Sequence, residues 1–194
     1  MTPQSICVYC ASSSRVEHCY TNAAYNLGAL LAREDILLVT GGGNQGLMRA
    51  VEDGTLDAGG KATGVIPQFM VEQKWNHTGL TELRITKDMH SRKQLMAKLS
   101  DAVIALPGGC GTMEELCEII TWKQLGLYLN PIVILNINGY YDHLIAQLEK
   151  AIEQHFMGKI HGNIWSVAAT PEEALHQIRN TPQWNPGIRK YAAL

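Results

Sequence analysis

The stretch that decides the fold is Leu106-Pro107-Gly108-Gly109-Cys110-Gly111-Thr112-Met113-Glu114-Glu115. Before it, Asp101-Ala102-Val103-Ile104-Ala105-Leu106 is a short apolar run of strand length; after it, residues 116–125 carry apolar side chains at helical spacing. The order is strand, glycine-rich turn, helix start. Glycines let main-chain N–H groups approach a ligand closely, and a helix N-terminus adds partial positive charge. Thr112 can add a hydroxyl donor. The turn therefore suits an anion, phosphate above all. Glu114 and Glu115 lie about one turn into the helix, where a pure phosphate cradle has no need of acid. Two readings stand. The carboxylates can simply favour a helix N-terminus, or they can act on the ligand, with Glu115 three residues after Thr112 on the same helical face.

Working outward, residues 5–10 read as a buried strand followed by Ala11-Ser12-Ser13-Ser14, and residues 17–33 as a helix. Residues 36–39 form a second strand that ends in Thr40-Gly41-Gly42-Gly43-Asn44-Gln45-Gly46; a helix over 47–58 follows, closed by Gly59-Gly60. Residues 61–66 are a third strand, 68–80 a short helix and a loop, and 80–86 a fourth strand. Asp88 caps a helix that runs to about residue 100. Downstream of the central motif come a strand over 131–136, a helix over 140–156 and a short strand over 164–168. Thr170-Pro171-Glu172-Glu173 is a capping box that starts a helix to about residue 179. Residues 181–194, with Pro182 and Pro186, are expected to be irregular, either disordered or laid on a partner subunit. Strands apolar on both faces, alternating with helices, predict a doubly wound α/β fold with a mostly parallel sheet. No repeat, linker or low-complexity segment divides the chain, so one domain is expected over residues 1–194.

Apolar content of 46% and charged content of 18% describe an ordinary globular protein. A net charge of −2 without a Lys/Arg cluster argues against a nucleic-acid polymer as partner. Met1-Thr2-Pro3-Gln4-Ser5 has no basic leader character, and no run is long enough to span a bilayer. No membrane partner is expected. The 5 cysteines are expected to be reduced thiols in a cytoplasm. Cys7 and Cys10 make a C-x-x-C, but in a strand a spacing of three points them to opposite faces, so the pair reads as neither zinc site nor redox motif.

Four small or polar clusters follow four strands: residues 12–14, 41–46, 88–93 and 108–115. In an open α/β sheet they can converge in the crevice at the strand C-terminal ends. Gly41-x-Gly43-x-x-Gly46 matches the dinucleotide fingerprint, but the acid expected at the end of the next strand is missing, since that strand runs into Pro67. A nicotinamide oxidoreductase is disfavoured. His90-Ser91-Arg92-Lys93 puts two cations at a helix start, where the dipole disfavours them, and residues that break a local rule are often functional; a solvated basic face is the plainer reading. Arg92 offers a planar fork for phosphate, carboxylate or base edge. No His/Asp/Glu spacing makes a metal site, so no metal or other cofactor is expected. There is no nucleophile elbow, and no Walker lysine follows Gly111, so phosphoryl transfer is disfavoured. What remains is an anion cradle, an arginine and a carboxylate. That set suits cleavage of a ribose N-glycosidic bond, whose transition state is oxocarbenium-like.

Pro107-Gly108-Gly109-Cys110-Gly111-Thr112-Met113-Glu114-Glu115 resembles the PGGxGTxxE motif of the LONELY GUY (LOG) family, the cytokinin riboside 5′-monophosphate phosphoribohydrolases, long labelled lysine decarboxylases. Gly41-Gly42-Gly43 through Gly46-Leu47-Met48 resembles the family's GGGxxGLM, and Met89-His90-Ser91-Arg92-Lys93 its MHxRK. The resemblance implies a Rossmann-like fold, a homodimer with active sites near the subunit interface, and hydrolysis of a nucleoside 5′-monophosphate (AMP or an N6-modified AMP) to base and ribose 5-phosphate. It implies Arg92 and Glu115 as the catalytic pair. Gly108, Gly109, Gly111 and Thr112 would hold the phosphate, with Lys93 and Glu114 as substrate contacts and Ser12, Gly42 and Gly43 on the binding loops. Three positions depart from the family pattern: Ala11 stands where many members have Gly, Arg49 replaces a small residue, and Lys74 falls where many have Glu. The rival from another class is a nucleotide-binding carrier or sensor, for which the carboxylate is dispensable.

Overall fold

Buried aliphatic runs become strands and amphipathic runs become helices, in alternation: β1 (Ser5–Tyr9), α1 (His18–Arg33), β2 (Leu37–Thr40), α2 (Gly46–Asp57), β3 (Ala62–Pro67), α3 (Gln68–Glu72), β4 (Glu82–Thr86), α4 (Met89–Lys98), β5 (Ala102–Ala105), α5 (Cys110–Gln124), β6 (Ile132–Leu135), α6 (Asp142–Glu153), β7 (Ser166–Ala168) and α7 (Pro171–Asn180). This computed structural model describes residues 3–185 and 187. The strands form a 7-stranded sheet in the order β4-β3-β2-β1-β5-β6-β7. Every neighbouring pair is parallel, with Ile6 opposite Leu38 on one side of β1 and opposite Ala102 on the other. The chain winds outward from β1 to β4, then returns to add β5 at the other flank of β1. This is the doubly wound, Rossmann-like arrangement that the alternation predicts.

The sheet separates two apolar layers. One holds Ile6, Val8 and Cys10 of the first strand and its end against Leu27 and Leu31 of α1, Val51 of α2 and Leu175 of α7. The other holds Cys7 and Tyr9 against Met96 of α4 and Leu116 and Ile120 of α5. Each fully buried Leu or Ile stabilises by about 1.5–3 kcal/mol. Cys7 and Cys10 thus lie on opposite faces, both buried and free, as their spacing requires. No helix among the described residues is long and apolar enough to cross a membrane.

Most boundaries fall within two residues of expectation. Asp88 caps α4, its Oδ1 accepting from Ser91 N at 2.7 Å. Thr170 caps α7, its Oγ1 accepting from Glu173 N at 3.2 Å. The largest difference is α6, which is shorter at both ends than residues 140–156. Its start is delayed by a tight turn over Ile137–Gly139, in which Asn138 and Gly139 have φ of 52° and 70°. The Asn136 side chain accepts from Tyr141 N at 2.7 Å and holds that turn. At the far end His155 takes φ of 63°, and Phe156 N turns back to Ala151 O at 2.8 Å, which closes the helix early. Between α6 and β7 a 3-10 turn spans Lys159–Asn163, a region without periodic signal. Residues 181–185 lack helix or strand, but Trp184 is buried and its Nε1 donates to Lys123 O at 3.0 Å. The expectation for the rest of the tail, residue 186 and residues 188–194, lies outside the described residues.

Tyr141 is 1% exposed and its hydroxyl donates to Leu106 O at 2.7 Å, pinning the last residue before the central turn. Tyr141→Phe leaves that carbonyl without the hydroxyl and is expected to lower stability by about 1–2 kcal/mol. Urea unfolding checks this as a lower midpoint at unchanged slope.

Candidate active site

Parallel strands place all their C-terminal ends on one rim. The loops part where the strand order reverses between β1 and β5. There the loops after β1, β2 and β5 and the start of α4 surround a cavity of about 590 Å³. The four clusters singled out in the sequence do converge. Ser12, Gly43, Arg92, Gly109, Gly111, Thr112, Glu114 and Glu115 line the cavity, with Ala11 beside them. Gly42, Lys93 and Gly108 are not on its wall.

The loop after β2 is locked by its neighbours. Gly46 has φ of 63°, and a Cβ there would lie 2.5 Å from Ser13 O. Only glycine lets the start of α2 pack on the loop after β1, where Met48 N donates to Ala11 O at 3.1 Å. Asn44 N donates to Trp75 O at 2.8 Å and His77 N to Gly42 O at 2.9 Å, so residues 75–77 cross the loop like a zipper. His77 has a structural place: its Nε2 meets Asp53 Oδ1 at 2.8 Å and its Nδ1 accepts from Gly79 N at 3.0 Å. His90 is exposed. Among the described residues no group of three or more His, Cys, Asp or Glu is placed to hold a metal ion.

The turn after β5 presents main-chain donors. No side chain caps α5 at Gly109, and the first in-helix bond runs from Met113 N to Gly109 O at 3.0 Å. The preceding amides of residues 110–112 are therefore without helical acceptors, as at any helix start. A Cβ at Gly109 or Gly111 would meet nothing within 4 Å, so this face is open. Gly108 acts behind it. A Cβ there would lie 2.1 Å from Thr112 Oγ1, and its carbonyl accepts from the Tyr140 hydroxyl at 2.7 Å. Cys110 is exposed and lies off the cavity wall.

Arg92 and Lys93 explain the two misplaced cations at the start of α4. Arg92 is 6% exposed. Its Nε donates to Val65 O at 2.9 Å and its Nη2 to Gly41 O at 3.0 Å, so two main-chain carbonyls just past the last β2–β3 pair hold the guanidinium. A Cβ at Gly41 would fall 1.9 Å from Nη2, which is why that position carries none. Lys93 is also buried and pairs with Glu114, and with Glu118 at 3.1 Å. Burial alone pushes its ammonium pKa down; the two carboxylates more than offset this and leave it raised. Glu114 thus both lines the cavity and steadies the second cation. Burial lifts the Glu115 carboxyl from its usual 4.5 to about 7, against the opposing pull of Arg92.

Sequence reasoning missed two features. One is the apolar wall formed by Ile66, Met48, Met70, Met89 and Trp75; these residues are scattered over 42 positions (48 to 89) and carry no motif. The other is Glu52, fully buried on α2. A carboxylate at helical spacing from Met48 and Thr55, on a stripe that also holds Val51, was a readable signal. Burial lifts its pKa from 4.5 to about 8, although a bond from Thr40 pulls the other way.

With this geometry in view, the likeness to known proteins is specific. The family model described as "Possible lysine decarboxylase" matches residues 48–178, which hold Arg92 and the whole turn after β5. The cytokinin riboside 5′-monophosphate phosphoribohydrolase LOG3 of Arabidopsis thaliana is 42% identical over 173 residues, 89% of this chain and 80% of that protein. LOG5 of the same plant is 38% identical over 183 residues, 94% of this chain and 80% of that one. The chain belongs to the LOG family. The solved molybdenum cofactor carrier protein of Chlamydomonas reinhardtii superposes with a TM-score of 0.70 at 21% identity, covering 91% of this chain and 96% of that one. That likeness concerns the fold alone. Gly109, Gly111, Thr112, Arg92 and Glu115, which stand in the motifs that resemble the LOG family's, share one cavity.

Glu52 generates a pH effect on stability. Its folded pKa of about 8 lies above the usual 4.5, so the neutral form is favoured by folding. The stability this confers is fully present below pH 4.5 and is lost as pH rises through about 8. Glu52→Gln cannot ionise. Urea midpoints of the variant are expected to match wild type near pH 5 and to exceed it at pH 8.

Proposed function

We propose that this LOG-family chain hydrolyses the N-glycosidic bond of a nucleoside 5′-monophosphate, releasing free base and ribose 5-phosphate. The observation that carries the reading is the placement of Glu115, a carboxylate on the wall of the same cavity as Arg92 and the open amides of α5. The amides of residues 110–112, with Gly109 and Gly111 clearing the approach and Thr112 behind, take the phosphate. Grip on that remote group supplies binding energy that orients the sugar. As the C1′–N bond breaks, its electron pair leaves with the base and positive charge builds on the ribose. The Glu115 carboxylate stabilises that charge and takes a proton from the water that adds to C1′; the departing base nitrogen takes up a proton from solvent and Glu115 returns its own, which completes free base and ribose 5-phosphate. Arg92, steadied on two carbonyls, orients the substrate with its remaining N–H groups, and Lys93 holds Glu114 at the rim.

The apolar wall supports a purine base, with or without an N6 substituent. Methionines and a tryptophan form a soft, adaptable surface that accepts a flat ring and an alkyl group on it. We take the protein to act as a cytoplasmic homodimer: its free cysteines fit a reducing compartment, and dimerisation rests on the family resemblance. The carrier reading is set aside because a carrier needs no acid at the sugar, and Arg92 and Glu115 occur together here.

Incubation with AMP and N6-substituted AMP, followed by chromatography, is expected to show free base. Arg92→Ala and Glu115→Ala are each expected to lower kcat by about 100-fold or more. Retention of wild-type turnover by both counts against the assignment of Arg92 and Glu115, and tight binding of every nucleotide without base release counts against the hydrolase. The acid limb gives a second check. Since the carboxylate is the active form, kcat/KM is expected to rise with pH up to about 7 and then level off. Glu115→Gln should abolish that limb together with the activity.

A further inference from the structure

Glu52 sits in a place where an apolar residue would be cheaper. It is 0% exposed, and its neighbours Leu47 and Val51 belong to the apolar layer between α2 and the sheet. Its Oε2 has no hydrogen-bond partner among the described residues. Burying a carboxyl with one oxygen unsatisfied is destabilising. The other oxygen is engaged. Oε1 accepts from Thr40 Oγ1. The same Thr40 oxygen accepts from Gly42 N at 3.0 Å. Gly42 N and Gly41 O belong to one peptide unit, and Gly41 O accepts from Arg92 Nη2 at 3.0 Å. An unbroken chain therefore runs from carboxyl to hydroxyl, to peptide plane, to guanidinium.

Two physical points give the chain a purpose. Gly41 and Gly42 are both buried, and a Cβ at Gly42 would fall 3.1 Å from Gly64 Cα, so the peptide between them lies in a close-fitting slot with no side chain of its own to orient it. Hydrogen bonds at both ends, from Gly42 N to Thr40 Oγ1 and from Arg92 Nη2 to Gly41 O, set the tilt of that plane within the slot. In a dry interior each bond also polarises the next: a hydroxyl drawn toward a carboxyl is a better acceptor for the N–H, and a peptide with its N–H engaged presents a more negative carbonyl. We propose that Glu52 is a positioning residue which, through Thr40, sets the plane of the Gly41–Gly42 peptide and so aims the Arg92 guanidinium into the cavity. The proposal rests on the reading of Arg92 as a catalytic group, and it assigns a role to a side chain that touches neither substrate nor cavity.

The test is steady-state kinetics on AMP or N6-substituted AMP, whichever wild type turns over faster, with thermal melting alongside. Glu52→Leu and Thr40→Val break the chain. Each is expected to lower kcat about 10- to 100-fold, as misplacement of a catalytic group does, while KM stays within about threefold. Glu52→Leu should melt no lower than wild type, since the unsatisfied carboxyl is gone. Glu52→Gln keeps an acceptor and Thr40→Ser keeps the hydroxyl; both are expected to stay within about threefold of wild-type kcat. A merely structural role predicts the opposite pattern, with melting temperature falling and kcat per folded molecule unchanged. If Arg92→Ala is inactive while Glu52→Leu and Thr40→Val keep wild-type kcat, the positioning role is overturned and the hydrolase reading stands. Wild-type turnover by Arg92→Ala overturns the reading of Arg92 as a catalytic group and the positioning role with it. Should Glu52→Leu fail to fold, the Thr40→Val and Thr40→Ser pair separates the same two outcomes.

Discussion

Seven strands running the same way deliver their last carbonyls to one rim, and the site follows from that constraint. A carbonyl at the end of a parallel strand has no further strand residue to accept from, so it must find another donor or face solvent. Here Val65 O, one residue past the last β2–β3 pair (Thr40 opposite Gly64), and Gly41 O, just after β2, find the same one, the guanidinium of Arg92. The reversal of strand order beside β1 opens the crevice into which the rest of that guanidinium is directed. The polar demands of the sheet and the placement of a cation on the cavity wall are met by one side chain.

The site also holds buried charge. Arg92 and Lys93 are each 6% exposed at the start of a helix whose dipole opposes them. They persist because each has partners of the right kind: carbonyls for the first, carboxylates for the second. The carboxyls divide in the same way. Glu114 pairs with Lys93, whereas Glu115 is left to burial and to the more distant field of Arg92, which holds its pKa near neutrality. Two adjacent acids on one helix thus acquire different characters from their surroundings, which is how one constellation can separate holding from chemistry.

A molybdenum cofactor carrier and plant phosphoribohydrolases share this architecture. A fold is therefore a weak guide to activity, and side chains on the rim carry the distinction. In this chain a carboxylate shares a cavity wall with a helix start that no side chain caps, and with an arginine fixed by main-chain carbonyls.

Local chemistry was enough to read the order of strands and helices, the caps at Asp88 and Thr170, and the meaning of a glycine turn before a helix, because each depends on residues within about one turn of one another. The motifs around Arg92 and Glu115 were equally plain, since their residues are contiguous. Contacts between remote residues were not. The ends of α6 were set by Asn138 and His155 adopting left-handed angles, which helical periodicity does not report. The methionine and tryptophan wall gathers side chains from separate segments. Glu52 stands on the buried stripe of α2, which its spacing could show, but its partner Thr40 lies 12 residues away, and only the fold brings the two together where desolvation raises the carboxyl's pKa. The amino-acid order settled which groups could meet an anion and a sugar; three-dimensional packing settled which of them lost their water, and so which were charged, held or left free to react.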